Sequence, residues 1–151
     1  SKELIEGLLP IADVVIGALR ADDGRTPCVV SEEMVKKMKS GAVIVDVSID
    51  QGGCFESSEV TNHKKPTYRK FDVVHYCVPN ISSRVSRTAS FAISNILAPT
   101  LLQIGMAGGV DDFLKQNSGL RSGVYAHKGM LTSAVLASMF DMPYKNLNLI
   151  M

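Results

Sequence analysis

Cysteine is sparse in this chain. Its 151 residues hold three, Cys28, Cys54 and Cys77, an odd count with no C-x-x-C spacing. That excludes a disulfide framework, offers no zinc-ligand pattern, and fits a reduced, cytoplasmic setting. An excess of either charge is missing too: 16 lysines and arginines stand against 15 acidic residues, a net charge of +1. Nothing in that balance calls for nucleic acid or an anionic membrane as a partner. The one long apolar stretch, residues 90–106, is interrupted by Asn95, Pro99 and Gln103, and reads as a buried helix rather than a membrane span. No basic segment with a cleavage site opens the chain. Neither G-x-G-x-x-G nor G-x-x-x-x-G-K-[ST] occurs, so the chain has no phosphate-cradling loop of its own.

What is present describes an ordinary globular protein, 46% hydrophobic and 21% charged, long enough for one domain or part of one. The opening Ser1-Lys2-Glu3 lacks an initiator methionine and reads as a fragment or processed product. Leu4, Ile5, Leu8 and Leu9 form one stripe of a short helix that stops near Pro10. Val14-Val15-Ile16, ending at Gly17-Ala18, reads as a buried strand, and residues 19–30, with Asp22-Asp23-Gly24 and Pro27, as a loop. Ser31 is an N-cap with Glu32 and Glu33 behind it. That helix runs through Met34, Val35 and Met38 and closes on Lys39-Ser40-Gly41, with Lys36, Lys37 and Lys39 on a solvated face.

Residues 42–47, Ala-Val-Ile-Val-Asp-Val, are continuously apolar and β-branched up to Asp46, as a strand covered on both faces requires. A second such strand is residues 73–78, stopped by Pro79. The polar connection of residues 51–70 is long enough to be functional or mobile. After Pro79, Ala89, Ile93, Ile96 and Leu97 share a helical face, Pro99 should kink or break that helix, and Gly108-Gly109 end it. Shorter helices are expected over residues 111–116 and 132–140.

Strands alternating with helices imply an α/β fold with a parallel sheet, whose ligands sit beyond the carboxyl ends of the strands. Three segments follow predicted strands there: Gly17-Ala18-Leu19, Ser48-Ile49-Asp50 and Val78-Pro79-Asn80. Asp50, ahead of Gln51-Gly52-Gly53, is a partly desolvated carboxylate suited to acid, base or electrostatic work, or else a plain turn cap. Asn80 is placed to hold a carboxylate or carboxamide, or else its own backbone. His63, His75 and His127 have no sequence-near partner that would build a triad, and Cys54 and Cys77 pack rather than react.

The run of residues 46–56, D-V-S-I-D-Q-G-G-C-F-E, is similar to the D-[VI]-[AS]-I-D-Q-G-G-C-F-E signature of alanine dehydrogenases. Collinear matches flank it: residues 12–18 (A-D-V-V-I-G-A), 38–41 (M-K-S-G), 66–68 (P-T-Y), 75–78 (H-Y-C-V), Asn80, and Arg87-Thr88. The likeness runs from about residue 12 to about residue 140. The family shares its fold with the NAD-binding subunit of proton-pumping transhydrogenases, whose counterpart lacks the Gln-Gly-Gly-Cys-Phe string, and with lysine-forming saccharopine dehydrogenases. Departures are the charged segment of residues 19–26, and Pro79 and Ile81 in place of alanine and methionine.

The resemblance implies the second half of a Rossmann-type NAD-binding domain over residues 1–82. Residues 83–151 would be a long connecting helix and the C-terminal helices belonging with the substrate domain. It implies oxidative deamination of L-alanine to pyruvate and ammonia, with hydride passing to NAD. Asp50 matches the catalytic aspartate. Ala18, Leu19, Ile49, Asp50, Gln51, Val78, Asn80 and Ile81 match cofactor-lining positions, with Asn80 facing the substrate. The implied partners are the missing N-terminal part of the same enzyme and further copies of it, as a homohexamer. The isolated chain is then expected to be inactive. Two alternatives stand beside this reading: the transhydrogenase NAD subunit, and a non-catalytic nucleotide-fold module.

Overall fold

The computed structural model describes residues 2–20 and 24–151, which divide into two compact units, Ser1–Arg84 and Val85–Met151. Ala21, Asp22 and Asp23, in the expected 19–30 loop, and Ser1 lie outside the described residues.

The first unit opens with helix α1 (Lys2–Leu8), which passes at Pro10 into a single 3-10 turn, Leu9–Ile11. Strand β1 (Val14–Gly17), the one-turn helix α2 (Glu32–Val35) and strand β2 (Val43–Asp46) follow. The hairpin of β3 (Thr67–Lys70) and β4 (Val73–Tyr76) completes the sheet. The strand order is β1-β2-β4-β3, parallel from β1 to β4 and antiparallel between β4 and β3. The α/β class is as expected and the sheet is mainly parallel. Strand β3, inside the segment read as a plain connection, is the addition. Its turn, Phe71-Asp72, has both residues in the left-handed region, at φ 54° and 59°, which makes a tight hairpin without the usual glycine or asparagine.

The core lies on one face of this sheet, where Ile44 and Val73 are fully enclosed and Met34, Val35, Met38, Ala42, Cys54 and Phe55 pack around them. Ser31 caps α2 by accepting from the Met34 N–H at 3.3 Å. The helix is shorter than expected, and lysines that follow it are paired: Lys37 with Glu6 at 2.6 Å and Lys39 with Asp13 at 2.7 Å. These half-exposed pairs contribute little energy. β1 departs from the buried strand expected of it. Val14 and Ile16 alternate onto a face of β1 that is exposed, while Val15 and Gly17 on its other face are covered to differing degrees.

The second unit holds helix α3 (Ser86–Met106), α4 (Val110–Gln116), α5 (Ser118–Arg121), the hairpin β5 (Ala126–His127) and β6 (Met130–Leu131), and α6 (Ala134–Phe140). α3 continues through Pro99 without the expected break; the Thr100 hydroxyl, next to it, donates to the Ile96 carbonyl at 3.0 Å. The burial expected of α3 is also absent: among the described residues, none of this helix is buried. Phe91, Ile93, Ile96, Leu97, Leu101 and Leu102 are exposed. By length and composition residues Ile81–Met106 could cross a membrane, at a mean hydropathy of 1.3, but core helices of soluble proteins share both properties.

One polar group is embedded in the sheet. His75, in β4, is fully buried and stacked on Tyr68 at 4.9 Å between ring centroids. Its Nδ1 lies 3.0 Å from the Val73 carbonyl oxygen, which can only accept, so Nδ1 carries the proton. Nε2, 2.8 Å from Ser57 Oγ, then accepts from the Ser57 hydroxyl. Burial holds the imidazole below its ordinary pKa. A lowered histidine pKa stabilises the fold above the unfolded value of about 6.5, and this contribution is lost as pH falls from there toward the folded value. Urea denaturation should therefore show stability falling between pH 7.5 and 5, with a smaller slope in His75→Phe; equal slopes in the two proteins would contradict this.

Candidate functional site

The parallel strands are in register, Gly17 beside Asp46 and Val45 beside Tyr76, so their carboxyl ends are level and the loops leaving them are neighbours. The central loop begins as a 3-10 turn, Val47–Gln51, capped by Asp46. The period of two along β2 puts Asp46 on the same buried face as Ile44. Its Oδ1 accepts from the Ser48 N–H at 3.0 Å and from the Cys54 thiol at 3.7 Å. Its Oδ2 accepts from the Cys54 N–H at 3.0 Å and the Ser58 hydroxyl at 2.7 Å. Burial first, and then the Asp46 carboxylate, pushes the Cys54 thiol up to about 11, so Cys54 is a structural thiol rather than a nucleophile.

Two side chains of this central loop reach the loops beside it. The Ser48 hydroxyl accepts from the Leu19 N–H at 2.7 Å and donates to the Leu19 carbonyl at 3.0 Å. Asp50 Oδ1 accepts from the Asn80 N–H at 2.9 Å, and Asn80 is held in the left-handed region at φ 53°. The Gln51 carbonyl accepts from the Thr26 N–H at 2.8 Å, which lays the end of the 19–26 segment against the same turn.

The structure thus brings Leu19, Asp50 and Asn80 together, with Ala18 and Ile81 adjoining them in sequence. Ala18, Leu19, Asp50, Asn80 and Ile81 are exposed, and Gln51 is half-buried. Ile49 and Val78 are buried, so their side chains support the ledge from within. The desolvation expected at Asp50 is not supplied by this chain, which leaves that carboxylate exposed. The histidines stand apart: His75 is in the core, His63 bonds Ser83 at 2.8 Å, and His127 lies 3.7 Å from Asp111 in the second unit. Among the described residues no group of three or more His, Cys, Asp or Glu side chains is placed to hold a metal ion.

Asp46 and Ser48 escaped the reading of the sequence as individual residues. For Asp46 a signal existed, since strand alternation places it in phase with Ala42 and Ile44. For Ser48 the place at a strand end was readable but its partner was not.

The turn closes through Gly53, at φ 78°, where a Cβ would lie 2.6 Å from Asp46 Oδ2. Gly53→Ala therefore combines a left-handed backbone penalty with intrusion on the carboxylate, and should lower stability by roughly 2–4 kcal/mol in urea denaturation. A loss under about 1 kcal/mol would show that the turn adapts freely.

The sequence profile of the family described as alanine dehydrogenase/PNT, C-terminal domain, matches residues 1–134. The chain is 41% identical over 143 residues to alanine dehydrogenase 2 of Staphylococcus aureus, in strains USA300 and NCTC 8325 alike, covering 94% of this chain and 38% of the relative. A solved L-alanine dehydrogenase superposes with a TM-score of 0.80 at 35% identity, over 93% of this chain and 38% of that one. A transhydrogenase from Sinorhizobium meliloti shares the fold, with a TM-score of 0.67 at 21% identity, over 89% of this chain and 36% of that one. The chain spans about two-fifths of the length of these relatives, and within that span the match is nearly end to end. With its mainly parallel sheet and the ledge beyond it, the chain belongs to the alanine dehydrogenase/PNT C-terminal domain family.

Proposed function

We propose that this chain is the C-terminal part of an NAD-dependent alanine dehydrogenase, that the ledge of Ala18, Leu19, Asp50, Asn80 and Ile81 receives the nicotinamide end of the cofactor, and that Asp50 is its catalytic carboxylate. The observation that carries the reading is the bond between Asp50 Oδ1 and the Asn80 N–H at 2.9 Å, at the carboxyl end of a parallel sheet. It spends one oxygen on holding the neighbouring loop and leaves Oδ2 to work on a substrate.

The residues present fit that end of NAD. Exposed Ala18, Leu19 and Ile81 offer an apolar surface to a flat ring, and Asn80 and Gln51 offer amides to its carboxamide or to the substrate carboxylate. With no glycine-rich phosphate loop in the sequence, the adenosine and phosphate end falls to the upstream part of the enzyme. When bound, NAD accepts the hydride leaving the amine-bearing carbon. Asp50 Oδ2 holds or moves a proton at the substrate nitrogen and at the water that replaces it. Asn80, fixed by Asp50, orients the substrate carboxylate beside it.

On this reading residues 1–82 are the second half of the NAD-binding domain, and residues 83–151 the connecting helix and the C-terminal part of the substrate domain. α3, apolar and without a buried residue, is covered in the whole enzyme by the upstream part and by further copies in a cytoplasmic homohexamer. Isolated, the chain turns over no alanine.

The test is the full-length enzyme. L-alanine should drive NADH formation, and the isolated chain should bind NAD too weakly for calorimetry; tight stoichiometric binding by the fragment would sink the proposal. In the full-length enzyme Asp50→Asn, which keeps a carbonyl acceptor for the Asn80 N–H, should lower kcat about 100-fold or more while NADH affinity stays within about threefold. Asp50→Ala loses that acceptor as well and should weaken NADH binding in addition. Full turnover in Asp50→Asn would remove the catalytic role.

A further inference from the structure

We infer that Ser48 is a positioning residue: its hydroxyl clamps the backbone of Leu19 and so fixes the cofactor-lining turn after β1 against the turn that carries Asp50. The inference rests on the function proposed above and adds a part to the same site.

The geometry is a closed ring. One hydroxyl accepts from the Leu19 N–H at 2.7 Å and donates to the Leu19 carbonyl at 3.0 Å, so both backbone polar groups of Leu19 are held by one atom. Ser48 is itself held: it is buried, and its own N–H is fixed on Asp46 Oδ1 at 3.0 Å. The chain of bonds therefore runs from a buried carboxylate through one serine to the exposed loop after the neighbouring strand, 29 residues away in sequence.

A second contact brings the two loops together but leaves Leu19 itself unheld. A Cβ on Gly17 would collide with Cys54 Sγ and with the ring of Phe55, so the end of β1 lies flat against the central loop. Beyond Gly17 the chain turns outward, and Ala18, Leu19 and Arg20 are exposed. Leu19 follows a strand that is the sheet's edge in this chain and leads into the charged segment that departs from the family pattern. Among the described residues, Ser48 is what ties Leu19 down.

Ser48→Ala removes one oxygen from the turn and adds no atom, so the variant meets no steric bar to folding. The hydroxyl is spent on the two backbone groups of Leu19. Its effect falls on how well the cofactor surface is organised before the cofactor arrives, which appears in affinity rather than in the chemical step.

The experiment uses the full-length enzyme without cofactor and then with NADH. In Ser48→Ala, hydrogen exchange at the Leu19 amide should quicken about tenfold, as loss of one part-buried hydrogen bond predicts. Exchange at the Cys54 amide, bonded to Asp46, should not change. NADH affinity, read from NADH fluorescence, and KM for NAD should worsen by about five- to tenfold, with kcat changed by less than about twofold. Equal quickening at Leu19 and Cys54 would show general loosening and overturn the inference; so would unchanged exchange at Leu19, or unaltered NADH affinity. A wild-type enzyme that forms no NADH from L-alanine would instead overturn the proposed function, while the exchange rates would still decide whether the clamp exists.

Discussion

A carboxylate buried at the end of β2 governs the path of the chain around it. Taking Asp46 out of water costs several kcal/mol unless hydrogen-bond donors replace the lost hydration. The following residues supply them: the Ser48 and Cys54 N–H groups, the Ser58 hydroxyl and the Cys54 thiol. To deliver donors from positions 48, 54 and 58 to one side chain, the chain must coil back over the strand end. That requirement explains the 3-10 turn, the left-handed Gly52 and Gly53, and the burial of Cys54. Once the coil is closed, Asp50 has no choice but to project at its outer bend, clear of the core.

The same loop joins its neighbours through side chains bonding to backbone, Ser48 to Leu19 and Asp50 to Asn80. Backbone groups cannot rotate away as side chains do, so such links fix the separation of the loops more firmly than contacts between two flexible side chains would. The result is a level ledge across three parallel strands. It is open to solvent on its outer side.

Much of this was legible in the sequence, for reasons that differ from element to element. β2 and β4 were clear because β-branched runs between turn residues have few other readings. The strand ends, and with them Asp50 and Asn80, followed from the strands. β3 was hidden because Thr-Tyr-Arg-Lys lacks an apolar alternation and its hairpin turns on Phe71-Asp72, where a glycine or asparagine would have announced it. β1 and α3 were read as buried from their composition, which records what an element meets in its complete setting, whereas burial here is measured within 151 residues. Pro99 does not end α3, although its ring removes a backbone donor and crowds the carbonyl one turn back, and nothing in the structure explains how the helix absorbs this. The place of Ser48 at a strand end was readable but its partner was not: a serine after a strand has many possible partners, and only the fold selects Leu19.

The two edges of the sheet are unlike. β1 presents Val14 and Ile16 to solvent along a row of unpaired backbone groups. At the other edge, β3 runs antiparallel and carries Arg69 and Lys70, the latter held by Glu32 at 2.7 Å. Lysine and arginine on an edge deter a foreign strand from docking, whereas an uncharged, apolar edge invites one. The sheet is thus asymmetric in its capacity for growth: it is sealed against misassembly on the β3 side and adhesive on the β1 side. For these 151 residues taken alone, β1 is the edge at which another strand could add.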